Sequence, residues 1–172
     1  MPKHYVYRMD HDVGFAPRIQ GRLCTLCGCK TTTVERWAEP GSWVVGIGGL
    51  GTGRPDALIY AMRVDSTPSY HALSRGQHHV AAYLRGHGIA QNAHVLLANY
   101  FFYFGENALL LPRRLKHIVI DRQGAWRLTD SDVEALQRFL GPYGPGKHGE
   151  PNNGRKCRSQ RQPRHACFRT TV

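Results

Sequence analysis

The chain has 172 residues, a net charge of +11 and a hydrophobic fraction of 41%. That fits one domain of ordinary size with a real core. No stretch approaches the ~18 apolar residues of a membrane span, and the opening Met-Pro-Lys-His has no apolar signal region. The expectation is a cytoplasmic protein with no membrane partner, whose thiols stay mostly reduced.

Residues 5–9 read as a first strand from their aromatic and β-branched content. Residues 10–30 read mainly as loop, broken by Gly14, Pro17, Gly21 and Gly28. A short helix over 33–38 stops at Pro40-Gly41. Strands over 42–47 and 57–64, joined by a glycine-rich turn, form a predicted hairpin. A helix over 69–85 is weakened by Gly76. Residues 94–104 form one central strand or two with a bend, and 115–120 another strand. A helix opens at Asp130, with Ser131 and Glu134 at capping-box spacing, and ends at Gly141-Pro142. The expected class is α+β with a mostly antiparallel sheet and two or three helices, and a barrel-like, PUA-like closure is among its arrangements. The domain is expected over 1–143. Residues 144–172 read as a poorly ordered basic tail. From residue 146 onward, seven Lys or Arg stand against Glu150 alone, a surplus of +6 that leaves +5 elsewhere. Such an arm attracts phosphates or merely stays solvated.

Several clusters carry candidate chemistry. Cys24, Cys27 and Cys29 place three of five cysteines within six positions. Two thiolates from a C-x-x-C turn make a common half-site for zinc, with His11, Cys157, His165 or Cys167 as further ligands. The same cysteines also fit small buried side chains, or a reactive thiol favoured by Arg18, Arg22 and Lys30. The run Asp10-His11-Asp12 fits a general base with an orienting carboxylate, a metal or ribose site, or a turn capped ahead of Gly14. Cys24 with Asp10, His11 and Asp12 is the candidate catalytic set.

The run Gly46-Ile47-Gly48-Gly49-Leu50-Gly51 matches G-x-G-x-x-G. No helix start comes after it, only Pro55 and an alternating strand, so it reads as a hairpin connection rather than a dinucleotide site. Its functional alternative is a ligand loop beside Arg54. The run Asn99-Tyr100-Phe101-Phe102-Tyr103-Phe104 is the densest in aromatics. In a strand Tyr100, Phe102 and Phe104 share one face, and Phe101 and Tyr103 the other. One face is core, and the other could stack on a base.

Three blocks carry a resemblance. Arg8-Met9-Asp10-His11-Asp12-x-Gly14-Phe15-Ala16-Pro17, then Cys24-Thr25-Leu26-Cys27-Gly28-Cys29-Lys30, then Trp43 through Gly49 with Ile59-Tyr60-Ala61-Met62 together resemble the second type of nucleotide-modification-associated domain. The resemblance runs from about Tyr5 to about His117. It implies a role beside the modification of bases in phage or bacterial DNA, and it supplies no catalytic residues. A weaker similarity, Gly41-Ser42-Trp43-Val44 leading to Ile59-Tyr60-Ala61-Met62-Arg63-Val64, is to PUA-like modules of the EVE and YTH kind. These hold a flipped or modified base in an aromatic pocket.

The leading expectation is therefore a protein that binds a nucleotide, or a base within DNA. Arg8, Lys30 and Arg54 would meet phosphate, Asp10 or Asp12 would meet base or sugar, and Asn99, Tyr100, Phe102 and Tyr103 would line the base site. The rival is a cysteine- or zinc-dependent enzyme acting on nucleotides or DNA bases. A third reading is an interaction protein tethered by its basic tail.

Overall fold

In a computed structural model, residues 1–28 and 32–152 are described. Among the described residues ten strands and four α-helices, more than the two or three helices expected, run in the order β1 (His4–Met9), β2 (Arg18–Gln20), β3 (Leu23–Leu26), α1 (Thr32–Trp37), β4 (Trp43–Gly48), β5 (Ala57–Arg63), α2 (Tyr70–Arg75), α3 (His79–Leu84), β6 (Leu96–Ala98), β7 (Tyr100–Tyr103), β8 (Leu109–Leu110), β9 (Ala125–Leu128), α4 (Asp130–Leu140) and β10 (Gly146–Lys147). The large sheet has the order β10-β7-β5-β4-β1-β9, with β8 also on β5. A small sheet has the order β2-β3-β6.

The class is α+β and the pairing mostly antiparallel, as expected. Two pairs, β1 with β4 and β10 with β7, are parallel. Among the described residues the barrel-like closure is not formed: the sheet ends at β10 and β9, which do not pair. Each face is covered by a separate apolar cluster.

The alternation of β-strand side chains divides those clusters. Val6, Val45, Ile47, Ala61, Phe102 and Phe104 face α4 and the 3-10 turn Arg113–Ile118. Tyr5, Tyr7, Met9, Val44, Tyr60, Met62, Phe101 and Tyr103 face the small sheet. A third cluster, including Cys27, Tyr70, Leu73, Val80, Leu84 and Val95, seats α2 and α3. On α4, Val133, Leu136 and Leu140 are buried, each worth roughly 1.5–3 kcal/mol of transfer free energy.

The strand over 57–64 and its hairpin with β4 are present. The predicted strand over 94–104 is two strands in different sheets. The break comes at Asn99, whose backbone N–H and side-chain amide both donate to Asp65 Oδ2. The predicted helix over 69–85 is likewise two. Gly76 closes α2, Gln77 takes φ 53°, and His78 caps α3 through its ring nitrogen.

The expected strand over 115–120 is instead a 3-10 turn ending at Ile118 and entered after Pro112. The capping box of α4 lies two residues before the Ser131–Glu134 spacing. Thr129 and Asp132 exchange side-chain and backbone bonds there. Residues 10–30, read as loop, contain β2 and β3, and the chain past Tyr143 continues into β10 and on to Asn152 in the fold. That last stretch is held by backbone bonds: His148 N–H donates to the Tyr103 carbonyl (2.7 Å) and Glu106 N–H to the Glu150 carbonyl (2.8 Å).

Candidate functional site

The site begins as a row across the large sheet. The registers put Tyr7 beside Gly46, Gly46 beside Tyr60, Tyr60 beside Tyr103, and Tyr103 beside Lys147. Gly46 is needed there because a Cβ would run into the Tyr60 ring and, at 2.6 Å, Met9 Sδ. Gly48, Gly49 and Gly51 meet the same constraint against backbone carbonyls of Arg54, Met9 and Asp10. The glycine run thus serves close packing against the end of β1. It leads into a single 3-10 turn, Leu50–Thr52, with no helix N-terminus for a pyrophosphate.

The hydroxyls of this row are buried and must be satisfied. The Tyr7 and Tyr60 hydroxyls lie 2.8 Å apart. The Tyr103 hydroxyl donates to the Asp12 carboxylate, 2.8 Å from each oxygen. Asp12 is 1% exposed, and Asn152 N–H also approaches its Oδ2 at 3.4 Å. Burial pushes the Asp12 carboxyl above its ordinary range, against the Tyr103, Asn152 and Gly14 donors that favour its charged form. Burial, then the Asp12 charge, pushes the Tyr103 phenol strongly up, so it stays a donor. Asn152 completes the arrangement by donating from its side chain to the Thr52 carbonyl at 2.6 Å.

Against this pair lies a cavity of about 220 Å³, lined by Gly14, Pro17, Arg18, Ile19, Tyr103, Lys147, Glu150 and Pro151. Pro17, Ile19 and Pro151 give it apolar walls. Lys147 Nζ donates to both Glu150 carboxylate oxygens at 2.7 Å. The Arg18 guanidinium sits over the Tyr83 ring, 4.4 Å from its centroid, in a cation–π contact. Arg18 Nε is buried and has no hydrogen-bond acceptor among the described residues. The volume falls below the ~300–1,000 Å³ of sites that enclose a whole drug-sized ligand, so the cavity suits one ring or one phosphate of a larger molecule.

The structure brings together Asp12 and Tyr103 of the expected residues and disperses most others. Arg8 is on the opposite face of β1 and donates to Asp56 Oδ1 (2.8 Å) and to the Ile120 carbonyl (2.6 Å). Asp10 accepts from the Gln123 amide, and Arg54 donates to the Glu106 carbonyl. Asn99 is committed to Asp65. Phe102 is buried toward α4, while Tyr100 is 36% exposed beneath Arg63. His11 is half-buried, and its charge bears on Asp12.

Cys24 is fully buried, with Sγ 3.5 Å from Met62 Sδ, and burial pushes its thiol far up. Cys27 belongs to a different cluster, under α2 and α3, and burial pushes it up to about 12. Neither is a thiolate near neutral pH. Among the described residues no three His, Cys, Asp or Glu side chains gather around a point that could hold a metal. Cys29, Lys30, Cys157, His165 and Cys167 lie outside the described residues. Sequence reasoning misses Arg18, Ile19, Lys147, Glu150 and Pro151 as residues that line a cavity. The local signal there is charge, which reads as support for a thiolate at Arg18 and as tail at Lys147.

This is an α+β domain with a small, partly charged cavity over a buried Tyr–Asp pair. Residues 1–79 and 65–158 match the family described as Nucleotide modification associated domain 2, and the chain belongs to that family. No curated protein and no solved structure matches it. The family description ties the chain to nucleotide modification. No helix of the described residues is long and apolar enough to cross a membrane.

Proposed function

We propose that the protein binds a nucleotide, or a base within nucleic acid, in the cavity between β2 and the β7–β10 edge, as a component of nucleotide modification. The observation that carries this reading is the Asp12–Tyr103 pair, buried and fully bonded, behind a cavity with apolar walls and an unspent arginine donor. Pro17, Ile19 and Pro151 would offer apolar walls to a flat ring, and charged groups at Arg18, Lys147 and Glu150 would address its polar edge or its phosphate. Asp12 acts through Tyr103 and the Asn152 segment, which makes it a positioning residue. Calorimetric titration of a panel of plain and modified nucleotides and short oligonucleotides tests the reading. Saturable binding of some members, lost in Tyr103→Ala with the fold retained, is the expected result. No preference and no saturation across the panel would refute it.

The enzymatic alternative finds its best group in the same place. A carboxyl with a raised pKa beside a cavity is a common setting for proton transfer. Asp12, rather than Cys24, would then hold the proton, exchanged with the cavity through the Tyr103 hydroxyl that lines it. Asp12→Asn should abolish turnover of a bound nucleotide while leaving its binding intact.

A further inference from the structure

We infer that Arg18 is an anion-recognising residue, so that the ligand of the cavity must carry a phosphate. This deepens the reading above and rests on it. Three charged side chains line the cavity, and two of them, Lys147 and Glu150, already satisfy each other at 2.7 Å. Arg18 is the cation left over, since among the described residues no carboxylate forms an ion pair with it.

Its Nε hydrogen is buried and lacks an acceptor among the described residues, an arrangement that folded proteins rarely leave without purpose. The guanidinium carbon lies 4.4 Å from the Tyr83 ring centroid, a contact with the ring that offers its N–H groups no oxygen acceptor. A planar fork held by an aromatic ring beside an open cavity is suited to a phosphate, which accepts two parallel hydrogen bonds and neutralises the surplus charge. A free base or nucleoside would leave that surplus in place.

The test compares a nucleoside with its 5′-monophosphate, with inorganic phosphate as competitor, against wild type, Arg18→Ala and Arg18→Lys. Wild type should bind the monophosphate at least tenfold more tightly than the nucleoside, and inorganic phosphate should compete. Arg18→Ala should lose about ten- to a hundredfold in affinity for the monophosphate and with it the monophosphate's advantage over the nucleoside. Arg18→Lys, which keeps the charge but not the fork, should recover only part of it. Thermal unfolding of each variant checks that the fold persists. Equal wild-type binding of nucleoside and monophosphate would overturn the role of Arg18 and leave the nucleotide site standing. Absence of binding by either would overturn both.

Discussion

The two faces of the large sheet are built on different chemistry. The face under α4 is filled by Val, Ile, Leu and Phe side chains and closed by one regular amphipathic helix. The opposite face carries Tyr7, Tyr60 and Tyr103 in one row. It is covered by the small sheet, by irregular chain and by residues 147–152. Apolar packing asks only for volume and shape. Buried hydroxyls ask for named partners, and the partner of Tyr103 is a carboxylate 91 residues away in sequence. Both faces join distant parts of the chain, but the apolar face asks only for matching volumes, and the face with the cavity asks for particular polar partners.

Substitutions on the two faces should separate stability from binding. Leu136→Ala in α4 removes a fully buried side chain and should cost about 2–5 kcal/mol in denaturant unfolding, with nucleotide affinity unchanged in the protein that remains folded. Gly46→Ala forces a methyl into the Tyr60 ring and should cost about 1–3 kcal/mol, disturbing the hydroxyl row as well. A binding loss with Leu136→Ala equal to that with Gly46→Ala would erase the distinction between the faces.

Asp12→Ala leaves the Tyr103 hydroxyl buried without an acceptor and should cost about 1–3 kcal/mol. Protonation of Asp12 sharpens the point. Its folded pKa lies above its unfolded value, so the native state holds the proton more tightly than the unfolded chain. The stability this gives is fully present below the ordinary value of 3.8 and is lost as pH rises through the folded value. Wild type should therefore lose stability relative to Asp12→Asn as pH climbs through that window and run parallel to it above. Parallel curves at every pH would mean that Asp12 is not held in the way its burial implies.

Much of the apolar half was legible in the sequence. β1, the β4–β5 hairpin and α4 follow from alternation and helical periodicity, and the aromatic run divides between the faces as a strand requires. The cavity half was not. Arg18-Ile19-Gln20 is too short and mixed to announce a strand. The Gly- and Pro-rich residues after Tyr143 look like tail, yet their amides meet the exposed edge of β7. Asp10-His11-Asp12 reads as a general base, a metal or ribose site, or a capped turn, and no neighbour reveals that one of its acids is buried against Tyr103 while the other bonds Gln123. The cysteine spacing draws attention to sulfur where Cys24 and Cys27 fill core positions.

Smaller effects should come from those positions. Cys24 and Cys27 should resist alkylation at pH 8 in the native protein and react on unfolding, as read by peptide mass mapping; rapid native labelling of either would contradict their burial. Thr129→Ala, which breaks the capping box of α4, should cost about 1 kcal/mol and leave the cavity untouched.

Backbone amide hydrogen exchange, with and without saturating nucleoside monophosphate, tests the central claim most directly. A ligand in the cavity should slow exchange at residues 14–20 and 146–152 and leave α4 and Asn99–Tyr100 unchanged. Protection confined to the exposed Tyr100 end of β7, or to α4, with none at those two segments, would contradict the site.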